Sequence, residues 1–527
     1  MKRRQFLGAG ALALTGCEQP AEIAGGFTGV HDERGHTLRE ARSWPAPAVT
    51  HRTRVVIAGG GVAGLAAARA LRLRGIDDFH LLELEDTAGG NSRGGLLNGV
   101  ACPLGAHYLP VPEDDAREVQ DLLEELGVRH RVAGRWTYDE RHLCHSPQER
   151  LFFKDAWHEG LLPVHEVGEA TLAQYRRFAN EVERLRRTAK FAIPLSSAPL
   201  SPVHRDLDRT TFAAWLEQKG LTDAHLRWYL SYCCRDDYGA GPEVVSAWAG
   251  IHYFASRHGF HAPGGEPGER DAVLTWPQGN AWLTEKLAAP LEERLKPRRV
   301  VTRIAAGRHG VEVDAWNTAT QAIERWQAQQ CVVALPLFVA ARVMEIPPPA
   351  LLAAARLLRY APWLVSNLHI RAPLHDRPGA APSWDNLIYG APGLGYVDAM
   401  HQSLGAVPGA TVLTHYHAPL SAAANPAAIR KLLLEQPWSH WRDAVLAELS
   451  VPHPDLRAKV TRIDITRYGH AMSIPLPGLC GHAALAALQK PQPQAWQRLY
   501  FAHSDLSGYS IFEEAFTHGH RAGMAVA

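Results

Sequence analysis

The chain has 527 residues, 46% hydrophobic and 21% charged, enough length and apolar content for two or three globular domains around a large core. A formal net charge of +1 provides no bulk attraction to nucleic acid or to an acidic membrane, so no nucleic-acid partner is assigned. Twenty-eight histidines are scattered without HExxH or paired CxxC spacing, and no metal is assigned.

The N-terminus reads as an address. Arg3-Arg4-Gln5-Phe6-Leu7 sets a twin arginine before an apolar stretch, Gly8 to Thr15, that is too short to span a bilayer as a mature helix. It ends in Leu14-Thr15-Gly16-Cys17, which resembles a bacterial lipobox, and cleavage before Cys17 removes Lys2, Arg3 and Arg4 but no acid, taking +1 to −2. The expectation is passage through the twin-arginine export machinery and a lipid anchor at Cys17 on the periplasmic side of the envelope. Glu18 is not the Asp that favours inner-membrane retention, which inclines the choice to the outer membrane. Residues 18–50 show little periodicity and are predicted to be a linker that lifts the body off the membrane.

A dinucleotide-binding βαβ unit follows over residues 54–95. The apolar run Val55-Val56-Ile57-Ala58 predicts a buried parallel strand that breaks into Gly59-Gly60-Gly61-Val62-Ala63-Gly64, with GxGxxG at Gly59, Gly61 and Gly64. Gly59 permits the tight turn, Gly61 lets the backbone approach a pyrophosphate, and Gly64 lets a helix at 65–74 pack on the strand. The N–H groups at the start of that helix, around Val62 and Ala63, face the phosphate charge. A second strand, Phe79-His80-Leu81-Leu82, ends in Glu83, placed to accept hydrogen bonds from a ribose diol. The predicted class is therefore α/β, with a Rossmann-type domain.

Glu83-Leu84-Glu85-Asp86-Thr87-Ala88-Gly89-Gly90 resembles the LEAxDRxGG continuation of the flavin-containing amine oxidase superfamily, which also includes phytoene desaturases. The resemblance implies FAD as cofactor. The family's Arg after the GG pair is replaced by Asn91-Ser92-Arg93, so the contact of Gly90 and its neighbours with the cofactor passes to Asn91 or to Arg93. Pro103-Leu104-Gly105-Ala106-His107-Tyr108 resembles the family turn whose glycine lies against the flavin, and Arg299-Val300-Val301-Thr302 the strand whose valine, Val301 here, meets adenine. Phe501-Ala502-His503-Ser504-Asp505, with a helix from 512 to 525, resembles the closing segment, and only Asp505 carries over, near the ribityl chain or pyrophosphate. The family layout implies an FAD domain from 51–110, 270–345 and 491–527, and an α+β substrate domain from 111–269 and 346–490. Cofactor loading before export also suits a pathway that carries folded proteins.

Residues 110–260 are predicted to be mostly helical, with Cys233-Cys234 read as buried neighbours on one helix. The other cysteines are open to pairing in an oxidising compartment, with connectivity unreadable. The superfamily often keeps a lysine, bridged by water to the flavin, on a strand matching Pro362–Ile370. That strand has Ser366 or Asn367 instead, which favours an electron acceptor other than oxygen. Candidate catalytic groups are His107, beside Gly105, and His470, before the Pro-rich turn 474–478, where an imidazole can take a substrate proton near neutrality. Trp384-Asp385-Asn386 and Tyr396-Val397-Asp398 supply carboxylates for a cationic amine. The function expected is oxidation of an amine or polyamine by hydride transfer to FAD. A C–C desaturase or isomerase and a non-catalytic FAD-binding envelope partner stay open.

Overall fold

The computed structural model describes residues 22–40, 43–257, 259–263, 272–402, 407–419 and 425–527. Arg3, Arg4 and Cys17 lie outside the described residues. No described helix is long and apolar enough to cross a membrane.

Two large sheets carry the site. In the first, the short strand Leu295–Lys296, then Phe79–Leu82, Val49–Ala58 and Ala322–Val333 lie side by side in parallel, and Leu499–Phe501 joins the end of Ala322–Val333. Val311–Asn317 extends this sheet as the antiparallel neighbour of Ala322–Val333, and Arg299–Ala306 pairs antiparallel with Val311–Asn317 in turn. Val55 to Ala58 are fully buried, as expected of a strand covered on both faces. The second sheet runs in the order Ala24–Phe27, Val460–Ser473, Tyr360–Ile370, Thr411–His417, Tyr396–Asp398, Asp385–Ile388, Glu149–Phe153 and Ala156–Glu159. Five helices between Glu169 and Ala255 pack beside it around an aromatic core that includes Tyr175, Phe178, Phe212 and Trp248.

Glycine sets how closely the first sheet and its helices approach. The helix Val62–Leu73 starts from Gly61, and a Cβ at Gly64 would lie 1.9 Å from the Gly59 carbonyl oxygen. The C-terminal helix Phe512–Ala525 lies on the same helix; a Cβ at Gly519 would meet the Ala63 carbonyl oxygen at 2.0 Å.

Two expectations need correction, and the element that carries His470 is placed. Residues 18–50 were expected to be a free tether, yet Ala24–Phe27 pairs in parallel with Val460–Ser473 and Asp32–His36 is a helix bonded to the body. Their aperiodic composition hid a segment held by polar contacts. Within 110–260, Arg129–Val132 and Arg135–Tyr138 form a hairpin, and Glu149–Phe153 with Ala156–Glu159 join the second sheet. His470 sits on the long strand Val460–Ser473 and not in a loop. Cys233 and Cys234 are buried on the helix Ala224–Tyr238, and the six described cysteines are unpaired.

Gly519→Ala tests the glycine packing. Alanine favours a helix over glycine by about 1 kcal/mol, but the overpacking here should dominate and lower stability by about 1–3 kcal/mol, read as a lower midpoint of urea unfolding.

Candidate functional site

The glycine turn and the GG turn face each other at the carboxyl ends of the parallel strands. Gly59 has φ +106°, where a Cβ would strike the Ala334 carbonyl oxygen at 2.4 Å. Gly61 caps the helix whose first residues are Val62 and Ala63, with no side chain bonded to its free N–H groups. A Cβ at Gly61 would find only the Gly90 Cα, at 3.8 Å, whereas one at Gly90 (φ +60°) would lie 3.1 Å from the Gly61 Cα. Glu83 is 7% exposed; its two oxygens accept from the Gly60 and Glu85 N–H groups, both at 2.8 Å. Burial raises its pKa against those two bonds. Each carboxylate oxygen keeps a further lone pair for a hydroxyl.

Asp505 is fully buried, and its Oδ2 accepts from the Leu337 N–H at 2.9 Å and the Tyr360 hydroxyl at 2.7 Å. Burial opposes its ionisation, but His503 and these hydrogen bonds hold it below the usual carboxylate range. Its Oδ1 lies 3.2 Å from His503 Nδ1, whereas Arg93 Nε, also buried, lacks an acceptor. Arg93 pairs with Glu85 at 3.5 Å and donates to the Gly29 carbonyl. Asn91 Nδ2 donates to the Ala471 carbonyl at 2.5 Å. Val301 is buried beside a bulge in its strand.

The turn 103–106 is gripped from both sides. Its Leu104 and Ala106 N–H groups donate to the Arg93 and Asn91 carbonyls at 2.8 and 2.9 Å. From the second sheet, Asn367 Nδ2 donates to the Pro103 carbonyl at 2.9 Å, Tyr468 to Leu104 at 2.6 Å and Tyr416 to Gly105 at 3.0 Å. A Cβ at Gly105 would lie 2.0 Å from the Asn91 carbonyl oxygen, so this position requires glycine.

An aromatic and acidic cluster begins at the same turn. His107 stacks on Tyr416 with centroids 4.3 Å apart and approaches Tyr108 and Trp384 at 4.9 and 5.4 Å. Tyr108 donates to Asp236 Oδ2 at 3.2 Å. Tyr232 bonds to Asp385, whose carboxyl is driven well above its ordinary range by burial, then by Asp236. Burial, then the neighbouring Asp237, raises Asp236 to about 7. Asp237 itself is neutralised by Arg257, 3.0 Å away. His107, Tyr108, Asp236 and Asp385 are desolvated yet keep accessible surface, as groups facing an internal space do. A cavity of ≈ 80 Å³ opens beside Tyr232, between Trp228, Arg235 and Gly393. Trp363 Nε1, next to Tyr416, is buried without an acceptor.

The two candidate histidines are not brought together. His470 stacks on Phe338 at 4.7 Å, with Tyr360 at its edge, and shares no ring contact with the cluster around His107. Burial lowers His107 to about 3; burial, then Arg430 and Arg39, lowers His470 to about 4, so both rings are neutral near pH 7. Asp385 joins the cluster, whereas Asp398 accepts from the Thr411 hydroxyl and the Met400 N–H. Asp236, Tyr232, Tyr416 and Tyr468 escaped the sequence reading. The one available signal was an acid pair set among Tyr232, Cys233, Cys234 and Tyr238, where a solvated helix face would be polar throughout.

The family model described as flavin containing amine oxidoreductase matches residues 62–527. The chain belongs to this family. A Mycobacterium tuberculosis protein named as a flavin-containing monoamine oxidase is 28% identical over 56% of this chain and 59% of its own length. Polyamine oxidase 4 of Oryza sativa subsp. japonica is 26% identical over 54% of this chain and 51% of its own length. The chain thus spans little more than half of these relatives. Among solved structures, putrescine oxidase bound to putrescine superposes with a TM-score of 0.65 at 19% identity, covering 90% of this chain and 99% of that one. A fatty acid isomerase from P. acnes superposes with a TM-score of 0.60 at 14% identity, covering 89% of this chain and 97% of that one. At these identities the likeness concerns the fold alone.

FAD is the cofactor of this family, and the crevice fits it. The glycine cradle leaves backbone room at Gly61, the helix start offers N–H groups, and Arg93 Nε is a buried polar atom in want of an acceptor. Gly59, Gly61, Val62, Ala63 and Gly90 would hold the diphosphate, Glu83 the ribose, and Gly105 would lie on the ring. Gly61→Val should therefore fold, because its Cβ meets no protein atom closer than 3.8 Å, but should purify without FAD. Circular dichroism and flavin absorbance of the same sample check both halves.

Proposed function

We propose that this chain is an exported, FAD-dependent oxidoreductase that oxidises a small amine, bound as its cation by the aromatic and acidic cluster beside Gly105. The observation that carries this reading is the placement of Asp236 and Asp385 among Tyr108, Tyr232, Trp384 and Tyr416. An unpaired desolvated carboxylate is costly, and an ammonium group offsets that cost while the ring faces attract its charge. An apolar chain gains from neither. The acids therefore favour an amine over the desaturase or isomerase alternative, although an isomerase shares the fold.

FAD, when bound, supplies the two-electron acceptor. The protein's part is to orient, desolvate and handle charge. Asp236 and Asp385 repel each other's charge, so the pair gains its first negative charge as pH rises through about 7, matched to one ammonium group. Tyr108, hydrogen-bonded to Asp236, offers that carboxylate a route for the ammonium proton. His107, neutral, forms part of the wall, and His470 has no place in this scheme. Ser366 and Asn367 are buried on the strand where the superfamily often carries lysine, which supports an acceptor such as a quinone in place of oxygen.

Asp236→Asn and Asp385→Asn should each raise KM for an amine by at least about tenfold, since losing one partner of a desolvated charge pair costs about 2–5 kcal/mol. In the unsubstituted enzyme kcat/KM should rise as pH is raised through about 7, where Asp236 becomes anionic, and this limb should vanish in Asp236→Asn. Stability without substrate has the opposite sign. Asp236 binds its proton more tightly folded than unfolded, so its contribution falls between pH 3.8 and about 7. Steady-state kinetics across pH with urea unfolding of the same variants measures both.

The export half of the proposal rests on Arg3, Arg4 and Cys17. Replacing both arginines by lysine should leave the precursor in the cytoplasm, and Cys17→Ser should abolish lipid attachment, as read by cell fractionation and lipid labelling.

A further inference from the structure

Three neighbouring parallel strands, Phe79–Leu82, Val49–Ala58 and Ala322–Val333, carry at their carboxyl ends Glu83 to Asp86, Gly59 to Gly61, and the run from Ala334 to Arg342. In an open sheet of this kind the nucleotide lies in the crevice outside those ends. The segment from Gly29 to Arg39 is bonded to both flanks of that crevice. On one side the His31 N–H donates to Glu85 at 3.1 Å, and its Nδ1 lies 2.6 Å from the same carboxylate. Arg34 donates to the Leu84 carbonyl at 3.1 Å and pairs with Asp86 at 3.0 Å. On the other side Arg342 donates to the Leu38 and Arg39 carbonyls. Bonded to the residues after the first strand and to the helix Leu337–Val343 that follows the third, the segment links the two flanks on either side of the glycine turn.

We infer that Gly29–Arg39 is a strap over the mouth of the FAD crevice, and that FAD is released only after the strap unlatches. Polar bonds and two half-buried side chains, Val30 and Leu38, fasten it. The helix Asp32–His36 buries none of its residues, and a groove of ≈ 440 Å³ separates it from Arg298, Trp316 and Gln321. Such bonds exchange with water at little net cost, which lets the strap open while the fold stays intact. Its ends stay fixed. Ala24–Phe27 is a strand of the second sheet and Val49–Ala58 of the first, and Gly29–Arg39 lies between them in the chain. Gly29 and Arg93 add a further latch at the GG turn.

The inference rests on FAD in the crevice and is independent of the substrate. Release of FAD from purified holoprotein, followed as the rise in flavin fluorescence, should be at least roughly tenfold faster in His31→Ala/Arg34→Ala, which removes hydrogen bonds to charged groups on Glu85 and Asp86. Both positions lie outside the glycine turn. Trypsin treatment of unsubstituted holoprotein provides a second route: cleavage after Arg34 or Arg39, identified by mass spectrometry, should speed FAD release from a body whose circular dichroism is unchanged. An unlatched or clipped protein that keeps FAD as long as the intact one overturns the strap. Failure of the amine reading would appear separately, as FAD that no amine reduces in a protein whose release kinetics still depend on the strap.

Discussion

Three successive backbone carbonyls, at Pro103, Leu104 and Gly105, are enclosed between the two sheets, and a carbonyl removed from water must find a donor. The second sheet provides one from each of three adjacent strands: Asn367 on Tyr360–Ile370, Tyr468 on Val460–Ser473 and Tyr416 on Thr411–His417. On its other side the same turn donates two N–H groups to the Arg93 and Asn91 carbonyls. This clamp fixes the turn that in the family lies against the flavin relative to both the glycine cradle and the substrate side. It explains why a tyrosine ring that stacks on His107 also holds Gly105. Tyr416 links the Gly105 turn and the aromatic and acidic cluster through one side chain.

Charge is distributed in keeping with that geometry. Desolvation pushes the histidines down and the acids up, so His107 and His470 stay neutral near pH 7 while Asp236 is raised to about 7 and Asp385 well above its ordinary range. Carboxylates are thus the groups in the aromatic and acidic cluster whose charge can answer a cation. At the cofactor end the balance differs: Asp505 stays ionised through His503, the Leu337 N–H and the Tyr360 hydroxyl despite complete burial.

What could be read in the sequence was what depends on near neighbours. The strand at Val55–Ala58, the glycine turn, the following helix and Glu83 follow one another within thirty residues, and their spacing alone dictates the unit. The helix 512–525 was legible for the same reason. Asp236 was not, because its meaning comes from Tyr108 and Asp385, which lie 128 and 149 positions away in the chain. His470 was drawn to a catalytic role by its place before a Pro-rich turn, yet its environment is set by Phe338 and by Arg39 and Arg430. The segment Gly29–Arg39 escaped because its partners, Glu85, Asp86 and Arg342, are remote in the chain. Nothing periodic marks such a segment.

The account turns on whether the cluster receives an amine. The most direct measurement is anaerobic titration of the purified holoprotein with matched substrates, following loss of the oxidised-flavin absorbance. A panel of primary amines and diamines, their uncharged alcohol counterparts, and unsaturated fatty acids separates the readings. The account predicts bleaching by at least one amine and by none of the alcohols or fatty acids. Flavin that no amine bleaches, in a protein that converts an unsaturated fatty acid, would contradict it.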